Sequence, residues 1–310
     1  ENQQNIFINT IKHNLTYKTF NNDLSINNKN IKNIIDNISS IKTYNIGRKL
    51  ALFYKFKYDS SFIDTCNYSL DFIGYLDNVN GFIYNNALNS CIFHNKTIFK
   101  NFYMPLDNGN IIKNSCNLKQ NYIISGPNAA GKTTILKSIL INIILSQQFG
   151  KGYYDKACIN PYEYLHCYLN IPDTNDRDSL FQAEARQCKN ILDNIKTHTK
   201  SRHFVIFDEL YSGTNPEQAV KSAYSYLKYL GDYKNVSFLL TTHFYDLCNM
   251  IDKNIKKDVI MNISMKTKLV NNKNIYLYKL QKGVSNIKSG FDILKQMDYP
   301  TKIINTLENS

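Results

Sequence analysis

Residues 122–140 read YIISGPNAAGKTTILKSIL, and this stretch decides the fold. The first four residues, Tyr122 to Ser125, predict a short buried strand. A glycine-bearing turn follows, and apolar residues then recur at every third or fourth position, which predicts a helix from Lys132 to Ser146. A strand, a glycine turn and a helix in this order are typical of a unit of an α/β fold.

The turn fits the pattern G-x-x-x-x-G-K-[ST], which wraps a phosphate group in backbone N–H donors. Its glycines allow a tight backbone, and the helix after it directs the positive end of its dipole at the phosphates. We expect Lys132 to contact the β- and γ-phosphates of ATP, and the Thr133 hydroxyl to bind Mg²⁺. The alternative is a coincidental glycine turn, which the flanking strand and helix disfavour. The candidate nucleotide-binding residues of this stretch are Gly126, Pro127, Asn128, Ala129, Ala130, Gly131, Lys132, Thr133 and Thr134.

Two carboxylates end a second apolar run, FVIFDE at residues 204–209. Asp208 is placed to hold Mg²⁺, and Glu209 is placed to orient and deprotonate the attacking water. Another apolar run, residues 236–242, ends beside His243, which is placed to polarise the γ-phosphate or the water. The alternatives are a solvated acidic turn for the pair and a structural role for the histidine. The candidate catalytic residues are Glu209, His243 and Lys132, and the candidate metal ligands are Thr133 and Asp208.

Strands alternate with helices in the rest of this region, which predicts a mainly parallel α/β sheet. Helices are expected at 179–195 and from Pro216, a hairpin is expected around 271–274, and two short helices close the chain. An Asp-Glu pair with a later strand-terminal His is typical of the ABC-type branch of the phosphate-loop ATPases, although the transporters' L-S-G-G-Q signature is absent. We predict an α/β domain of the ABC-type P-loop NTPase class at residues 99–310.

Residues 1–98 have a different character and are predicted to form a separate helical region. They begin polar and Asn-rich, and isoleucines between 31 and 41 recur at helical spacing. A second helical pattern spans 64–80 and brings four apolar residues to one face, namely Leu70, Ile73, Leu76 and Val79. No catalytic motif occurs here, so we expect helices that pack on a neighbouring domain or form a supporting arm.

The composition narrows the classes of binding partner and the cellular compartments that suit the protein. The 37 basic and 25 acidic residues give a net charge of +12, which suits DNA or RNA, although a Lys-rich coding bias also explains it. The longest apolar run, near 135–145, is interrupted by polar residues and is shorter than the ~20 residues of a membrane span, so no membrane partner is expected. Seven cysteines without a C-x-x-C pair predict reduced, mostly buried thiols in an intracellular, reducing compartment rather than a zinc site. Nucleus, cytoplasm and, for a viral protein, a viral factory stay open.

Several motifs in fixed order resemble the ATPase domain of the MutS mismatch-repair family. Residues 126–133 resemble its G-P-N-x-x-G-K-[ST] loop, residues 208–215 its D-E-I-x-x-G-T-S stretch, and residues 242–244 its T-H-Y. Residues 179–184 resemble its S-T-F-x-x-E segment, and Gly283, Gly290 and Pro300 resemble its closing pattern. The match covers about residues 100–305. A weaker match from Leu70 resembles the segment that joins the family's lever helices to the ATPase domain, so residues 1–98 would be a lever-like remnant.

The resemblance implies an ATPase that uses ATP and Mg²⁺ and completes each active site across a homodimer, or a heterodimer with another MutS-like subunit. Ser179 would then bind the γ-phosphate held by the partner subunit. A serine at a helix N-terminus suits that role, although the same position is explained by helix capping alone. The implied macromolecular partner is DNA, mismatched or otherwise structured, and ATP hydrolysis would drive a DNA clamp.

Two departures from the family pattern bear on function. Tyr211-Ser212 replaces the usual Gly-Arg after the acidic pair, and Ile111 stands where the family has an adenine-stacking Phe. The sequence also has no counterpart of the family's Phe-x-Glu mismatch wedge. Two alternatives to a mismatch-repair ATPase therefore stay open: a MutS-related ATPase that acts on branched DNA or another nucleic-acid assembly, and a non-enzymatic, nucleotide-gated dimerisation module.

Overall fold

The computed structural model describes residues 26–27, 29–33, 35–36, 46–105, 111–169, 179–270, 273–285 and 300. The chain divides into two compact units, Glu1–Asn85 and Asn86–Ser310. Residues 29–33 and 35–36 are helical, as the isoleucine spacing predicts. The end of that helix and the two helices expected on either side of Pro300 lie outside the described residues.

The longer helices of the first unit are α1 (Ile46–Tyr58) and α2 (Ser60–Tyr84). Asp59 separates them and caps α2, because its side chain accepts a hydrogen bond of 3.2 Å from the Phe62 N–H. The helix predicted at 64–80 is confirmed and extends further at both ends. Its predicted apolar face is largely open to solvent, since Leu70 is 67% exposed and Ile73 is 61% exposed.

The second unit contains two sheets and four longer helices among its described residues. In chain order its elements are β1 (Asn89–Phe93), β2 (Ile98–Phe102), β3 (Asn114–Asn117), β4 (Asn121–Ser125), α3 (Lys132–Phe149), β5 (Lys151–Gly152), β6 (Lys156–Ile159), β7 (Tyr164–Tyr168), α4 (Leu180–Thr197), β8 (His203–Asp208), α5 (Pro216–Gly231), β9 (Val236–Thr242), α6 (Tyr245–Asn254), β10 (Ile260–Val270) and β11 (Lys273–Lys282).

The larger sheet has six strands in the order β11-β10-β4-β9-β8-β7. All neighbouring pairs are parallel except the β10–β11 hairpin, which is antiparallel. The mainly parallel α/β sheet, its three apolar strands and the hairpin are therefore confirmed.

Side chains along the central strands alternate between two buried faces, as expected for a sheet that is covered on both sides. On β8, Val205 and Phe207 pack with residues of α4, α5 and α6. The intervening Phe204 and Ile206 pack on the opposite side with residues of α3 and β2. All four side chains are fully buried, and each contributes about 1.5–3 kcal/mol through removal of apolar surface from water.

Local sequence signals fix the ends of the helices around this sheet. Ser179 caps α4 in a capping box with Gln182, and Asn215 caps α5 immediately before Pro216. Gly150 ends α3 in the left-handed conformation, with a φ of 67°. The helices predicted at 132–146, at 179–195 and from Pro216 are confirmed.

The smaller sheet has five strands in the order β3-β2-β6-β1-β5, and sequence patterns do not predict it. Its strands are short and mix polar with apolar residues, as in NSCN of β3 and KACI of β6. Phe99 and Phe102 of β2 are nevertheless 1% and 0% exposed, and they join the core cluster that contains α3. Strand β1 pairs with β5 and β6, so residues 89–93 belong to a sheet of the second unit.

All seven cysteines are free thiols. Cys188 and Cys248 are buried, Cys167 is exposed, and the other four are partly buried, so burial of the thiols is less complete than predicted. Within the described ranges, no helix combines the length and the apolar character needed to cross a bilayer.

Candidate nucleotide site

A cavity of about 960 Å³ lies where β4 and β8 end. Parallel strands end at the same edge of a sheet, so the loops that follow them converge there. Eight predicted site residues line this cavity: Asn128, Ala129, Gly131, Lys132, Thr133, Thr134, Asp208 and Glu209. Gly126, Pro127 and Ala130 belong to the same loop and are buried.

Gly131 connects this loop to α3 in a left-handed conformation, with a φ of 88°. A Cβ at this position would strain the backbone and would lie 3.0 Å from Cδ1 of Tyr278, so the Tyr278 ring would have to shift. Glycine has no side chain to cap the helix, which leaves the first N–H groups of α3 for another acceptor. Ala129 also has a positive φ, 64°, which costs about 1 kcal/mol in a residue that carries a Cβ.

Lys132 is held inside the loop and is only 6% exposed. Its Nζ donates to the carbonyl oxygens of Gly126 and Pro127 at 2.9 and 3.2 Å, and it lies 3.9 Å from Oε1 of Glu209. Burial lowers the pKa of the Lys132 ammonium, and the charges of Glu209 and Asp208 partly offset this effect. The loop therefore presents a fixed cation beside its backbone donors.

Asp208 is held by hydroxyl groups from two other elements. The Thr133 hydroxyl donates to its Oδ2 at 2.7 Å, and the Thr241 hydroxyl donates to its Oδ1. No group of three or more His, Cys, Asp or Glu side chains that could hold a metal occurs among the described residues. Thr133 and Asp208 can therefore supply only part of a coordination shell, which suits Mg²⁺, an ion that usually keeps water and substrate phosphates as ligands.

Glu209 and His243 form a pair at the ends of β8 and β9. Nδ1 of His243 lies 3.1 Å from Oε1 of Glu209. The hydrogen bond from His243 lowers the pKa of the Glu209 carboxyl, burial opposes the shift, and the charges of His243 and Lys132 support it. Glu209 has a φ of 58°, a left-handed backbone that directs its side chain out of the strand. His243 does not line the cavity itself, and its link to the site is this contact with Glu209.

Ser179 lies at the tip of α4, where its hydroxyl accepts a hydrogen bond of 3.4 Å from the Gln182 N–H. Its capping role is therefore clear. Ser179 is exposed and is not part of the cavity lining, to which α4 contributes Leu180 and Glu184 instead.

Some cavity residues carry no motif and are missed by sequence reasoning. Tyr278 of β11 lines the cavity beside Gly131, and Tyr103 and Ile112 line it ahead of the loop. Ile111, which the family resemblance aligns with the adenine-stacking Phe, is 55% exposed, and its neighbour Ile112 faces the cavity instead. An aromatic residue in a strand more often signals core packing, so only the fold reveals Tyr278.

Glu184 is the acidic residue of the S-T-F-x-x-E resemblance, but the sequence does not predict that it lies on the buried face of α4 and lines the cavity. The predicted apolar stripe of α4 runs through Phe181, Ala185, Cys188, Leu192 and Ile195. Cys188 and Ile195 are buried as predicted, but the other buried residues of the helix are Glu184 and Ile191. A buried carboxylate is costly unless it is hydrogen-bonded, so patterns of hydrophobicity exclude it from a core face. Its place in the S-T-F-x-x-E segment marks it in the sequence, and its spacing of four residues from Cys188 could have placed it on the buried face.

Comparisons with known proteins agree with this arrangement. The family model described as MutS domain V matches residues 122–310, which is more than half of the chain. The chain is 30% identical over 189 residues to the DNA mismatch repair protein MutS of Bacteroides fragilis, covering 60% of this chain and 21% of that protein. It is 28% identical over 214 residues to the DNA mismatch repair protein MSH3 of Debaryomyces hansenii, covering 65% and 20%.

The matched part amounts to about a fifth of the length of these relatives. The matched residues include the loop at 126–131, the Asp208–Glu209 pair and His243, which the fold brings to one edge of the sheet. On this evidence the chain belongs to the MutS domain V family.

Proposed function

We propose that this chain is a Mg²⁺-dependent ATPase domain of the ABC-type P-loop class, acting in DNA repair of the MutS type. The observation that carries the proposal is the convergence of Lys132, Thr133, Asp208 and Glu209 on one cavity at the N-terminus of α3. A buried ammonium, a hydroxyl–carboxylate pair, a second carboxylate and uncapped helix N–H groups form a donor set suited to a magnesium-bound polyphosphate.

The cavity also suits the rest of a nucleotide. Ser138 is 2% exposed and lines the cavity, and within the described part of the chain its hydroxyl has no hydrogen-bond partner. A polar group of the ribose or base would satisfy it. Tyr103, Ile112 and Tyr278 supply apolar and aromatic surface for a base.

The roles of the residues follow from their positions. Lys132 and the loop N–H groups would hold the phosphates, and Thr133 and Asp208 would hold Mg²⁺, which neutralises charge that develops on the phosphates. Glu209 would accept a proton from the attacking water, and His243 would orient the Glu209 carboxylate through their 3.1 Å contact. A carboxylate with a lowered pKa is ionised at neutral pH and is ready for that role.

DNA binding, dimerisation and a repair role rest on the relatives, which carry the name DNA mismatch repair protein. We expect two MutS-like chains to assemble around ATP, with Ser179 at the exposed tip of α4 completing the partner's site. The net charge of +12 is compatible with a DNA partner. The other two hypotheses, action on branched DNA or another nucleic-acid assembly and a dimerisation module without hydrolysis, differ from this one in measurable ways.

The test is steady-state ATP hydrolysis by the wild type and Glu209→Gln, alone and with homoduplex, mismatched or branched DNA. Loss of a general base should lower kcat by at least about 100-fold. Stimulation by mismatched DNA supports the repair role, and stimulation only by branched DNA favours the first alternative. Equal, slow rates in both proteins would contradict the enzymatic proposal and favour the dimerisation module.

A further inference from the structure

The buried face of α4 contains a carboxylate that is bound by the turn after Glu209. Glu184 is 2% exposed and belongs to the face that also contains Cys188, Ile191 and Ile195. A carboxylate in that setting persists only if its oxygens are hydrogen-bonded. The identity of its donors therefore indicates why a Glu occupies a core position.

Three donors from the turn after Glu209 bind this carboxylate. Oε1 of Glu184 accepts from the Ser212 N–H at 3.0 Å and from the Ser212 hydroxyl at 2.8 Å. Oε2 accepts from the Gly213 N–H at 3.1 Å. Both oxygens are thus used as acceptors, which a carboxylate can satisfy and an amide cannot.

Close packing reinforces the same junction. A Cβ at Gly213 would lie 2.8 Å from the backbone nitrogen of Phe181, so the turn approaches the first residues of α4 as closely as glycine permits. The Phe181 and Tyr211 rings pack with their centroids 5.6 Å apart. The N-terminal end of α4 and the turn after Glu209 are therefore joined by packing contacts as well as by hydrogen bonds.

The turn itself has an unusual backbone. Glu209 and Tyr211 both have a φ of 58°, a conformation that costs of order 1 kcal/mol or more for each non-glycine residue. Such a turn persists only when its surroundings determine its shape. The Glu184 carboxylate binds it directly at Ser212 and Gly213, and Tyr211 is buried against α4.

We propose that Glu184 is a positioning residue that links the tip of α4 to Glu209. By holding the Ser212–Gly213 end of the turn, it sets where the Glu209 carboxylate points, and a displacement of α4 at Ser179 reaches Glu209 through the same bonds. The inference rests on the proposed function, because the residue that Glu184 positions, Glu209, is the one proposed to activate water. Glu184 lines the cavity but is not assigned a contact with the reacting atoms.

Glu184→Gln tests this link with little change in size. Its amide NH₂ would meet a donor at Ser212 or Gly213, so the turn would lose a bond and shift. A misplacement of about 1 Å at a catalytic group can cost up to about 100-fold, so we expect kcat to fall by at least about 10-fold. The nucleotide Kd should stay within about 3-fold of the wild type, since Lys132 and the loop are unchanged.

Glu163→Gln is the matched control, because Glu163 also accepts a backbone N–H, from Arg202, but lies outside the cavity. The active fraction of each protein is counted by titration with Mg²⁺-ATP, so that partial unfolding does not imitate a lower kcat. If Glu184→Gln does not fold, Ser212→Ala removes one of the three donors and should give a smaller loss of kcat at an unchanged Kd.

An unchanged kcat in folded Glu184→Gln, or a loss of binding in proportion to the loss of rate, would overturn the inference. If Glu184→Gln does not fold, an unchanged kcat in Ser212→Ala has the same consequence. Hydrolysis by the wild type separates this result from failure of the proposed function. If the wild type does not hydrolyse ATP, the proposed function fails and the inference fails with it.

Discussion

At the scale of single residues, the chemistry depends on short contacts between groups that lie far apart in the sequence. Thr133 and Asp208 are in different elements, yet their oxygens are 2.7 Å apart. His243 and Glu209 are joined in the same way at 3.1 Å. Each pair consists of residues that end a strand or begin a helix at one edge of the sheet, so the topology creates the site.

The Thr133 hydroxyl can be tested by two substitutions of similar size. Thr133→Val keeps the shape but removes the oxygen, whereas Thr133→Ser keeps the oxygen. We expect Thr133→Val to raise the Mg²⁺ concentration for half-maximal ATP hydrolysis by about 10-fold or more, and Thr133→Ser to change it by less than about 3-fold. A titration with Mg²⁺ at fixed ATP measures both, and equal behaviour of the two variants would contradict the assignment of Thr133 as a metal ligand.

Gly131 offers a second test, with Gly150 as its control. Both have a positive φ, 88° and 67°, but no described heavy atom lies within 4 Å of a Cβ at Gly150, whereas Tyr278 lies 3.0 Å from one at Gly131. Gly131→Ala should therefore destabilise the fold by about 1–2 kcal/mol more than Gly150→Ala in urea unfolding. In a Tyr278→Ala background the difference should shrink. If it does not, the close contact is not its cause.

Residue-level prediction from the sequence worked where chemistry dictates spacing. The loop at 126–133, Asp208, Glu209 and His243 are recognisable because phosphate binding and water activation need those groups at fixed positions along the chain. Tyr278 and Ile112 could not be predicted, and the burial of Glu184 could not be predicted either, because these positions depend on which strand or helix lies next to another.

At the scale of elements, the central strands and the β10–β11 hairpin were predictable, whereas β7 and the smaller sheet were not. Apolar runs mark β4, β8 and β9 because both faces of those strands are buried. The edge strand β7 reads YLHCY and is only partly buried over most of its length, so it carries no clear periodic pattern. The smaller sheet combines strands of five residues or fewer with polar side chains, which hides it in the same way.

Strand β7 carries a pH-sensitive contact with β8. Nε2 of His166 lies 3.0 Å from Nδ1 of the buried His203, and the two rings stack at 5.3 Å. Burial, and then the nearby His203, lower the pKa of His166 from 6.5 to about 4. Below pH 6.5 the unfolded chain binds a proton at His166 that the folded chain does not bind until about pH 4, so this residue costs stability as the pH falls through that interval.

His166→Asn should reduce the pH dependence of the unfolding free energy that comes from His166. Between pH 7 and pH 4.5 the wild type should lose about 1–3 kcal/mol more unfolding free energy than the variant. Urea unfolding at several pH values measures the difference, and His94→Asn, at an exposed histidine, is the control. A wild type and a His166→Asn variant with parallel pH profiles would show that His166 titrates normally.

At the scale of the whole molecule, the matched part of the chain corresponds to about a fifth of the length of its relatives, and each proposed active site is expected to take a residue from a second chain. Its own residues bring the loop, the acidic pair and the histidine together, whereas Ser179 lies at the exposed tip of α4 and outside the cavity lining. A second copy, or a related subunit, is expected to present its Ser179 to this cavity.

Mixing two inactive variants tests this arrangement in homodimers. Chains with Ser179→Ala retain Glu209, and chains with Glu209→Gln retain Ser179. A mixed dimer would contain one site with both groups intact, so an equal mixture should recover up to about a quarter of wild-type hydrolysis if the chains pair at random. Activity no greater than the mean of the separate variants would indicate that Ser179 does not act across the dimer.

Equilibrium binding of Mg²⁺-ATP tests the central claim most directly, because every proposed role begins with the nucleotide in this cavity. Calorimetric titration should give one site per chain for the wild type and for Glu209→Gln, since Glu209 acts on water rather than on ATP. Lys132→Ala should bind at least about 10-fold more weakly, because the buried ammonium is lost from the phosphate loop. Equal affinity in Lys132→Ala, or no binding by the wild type, would contradict the account.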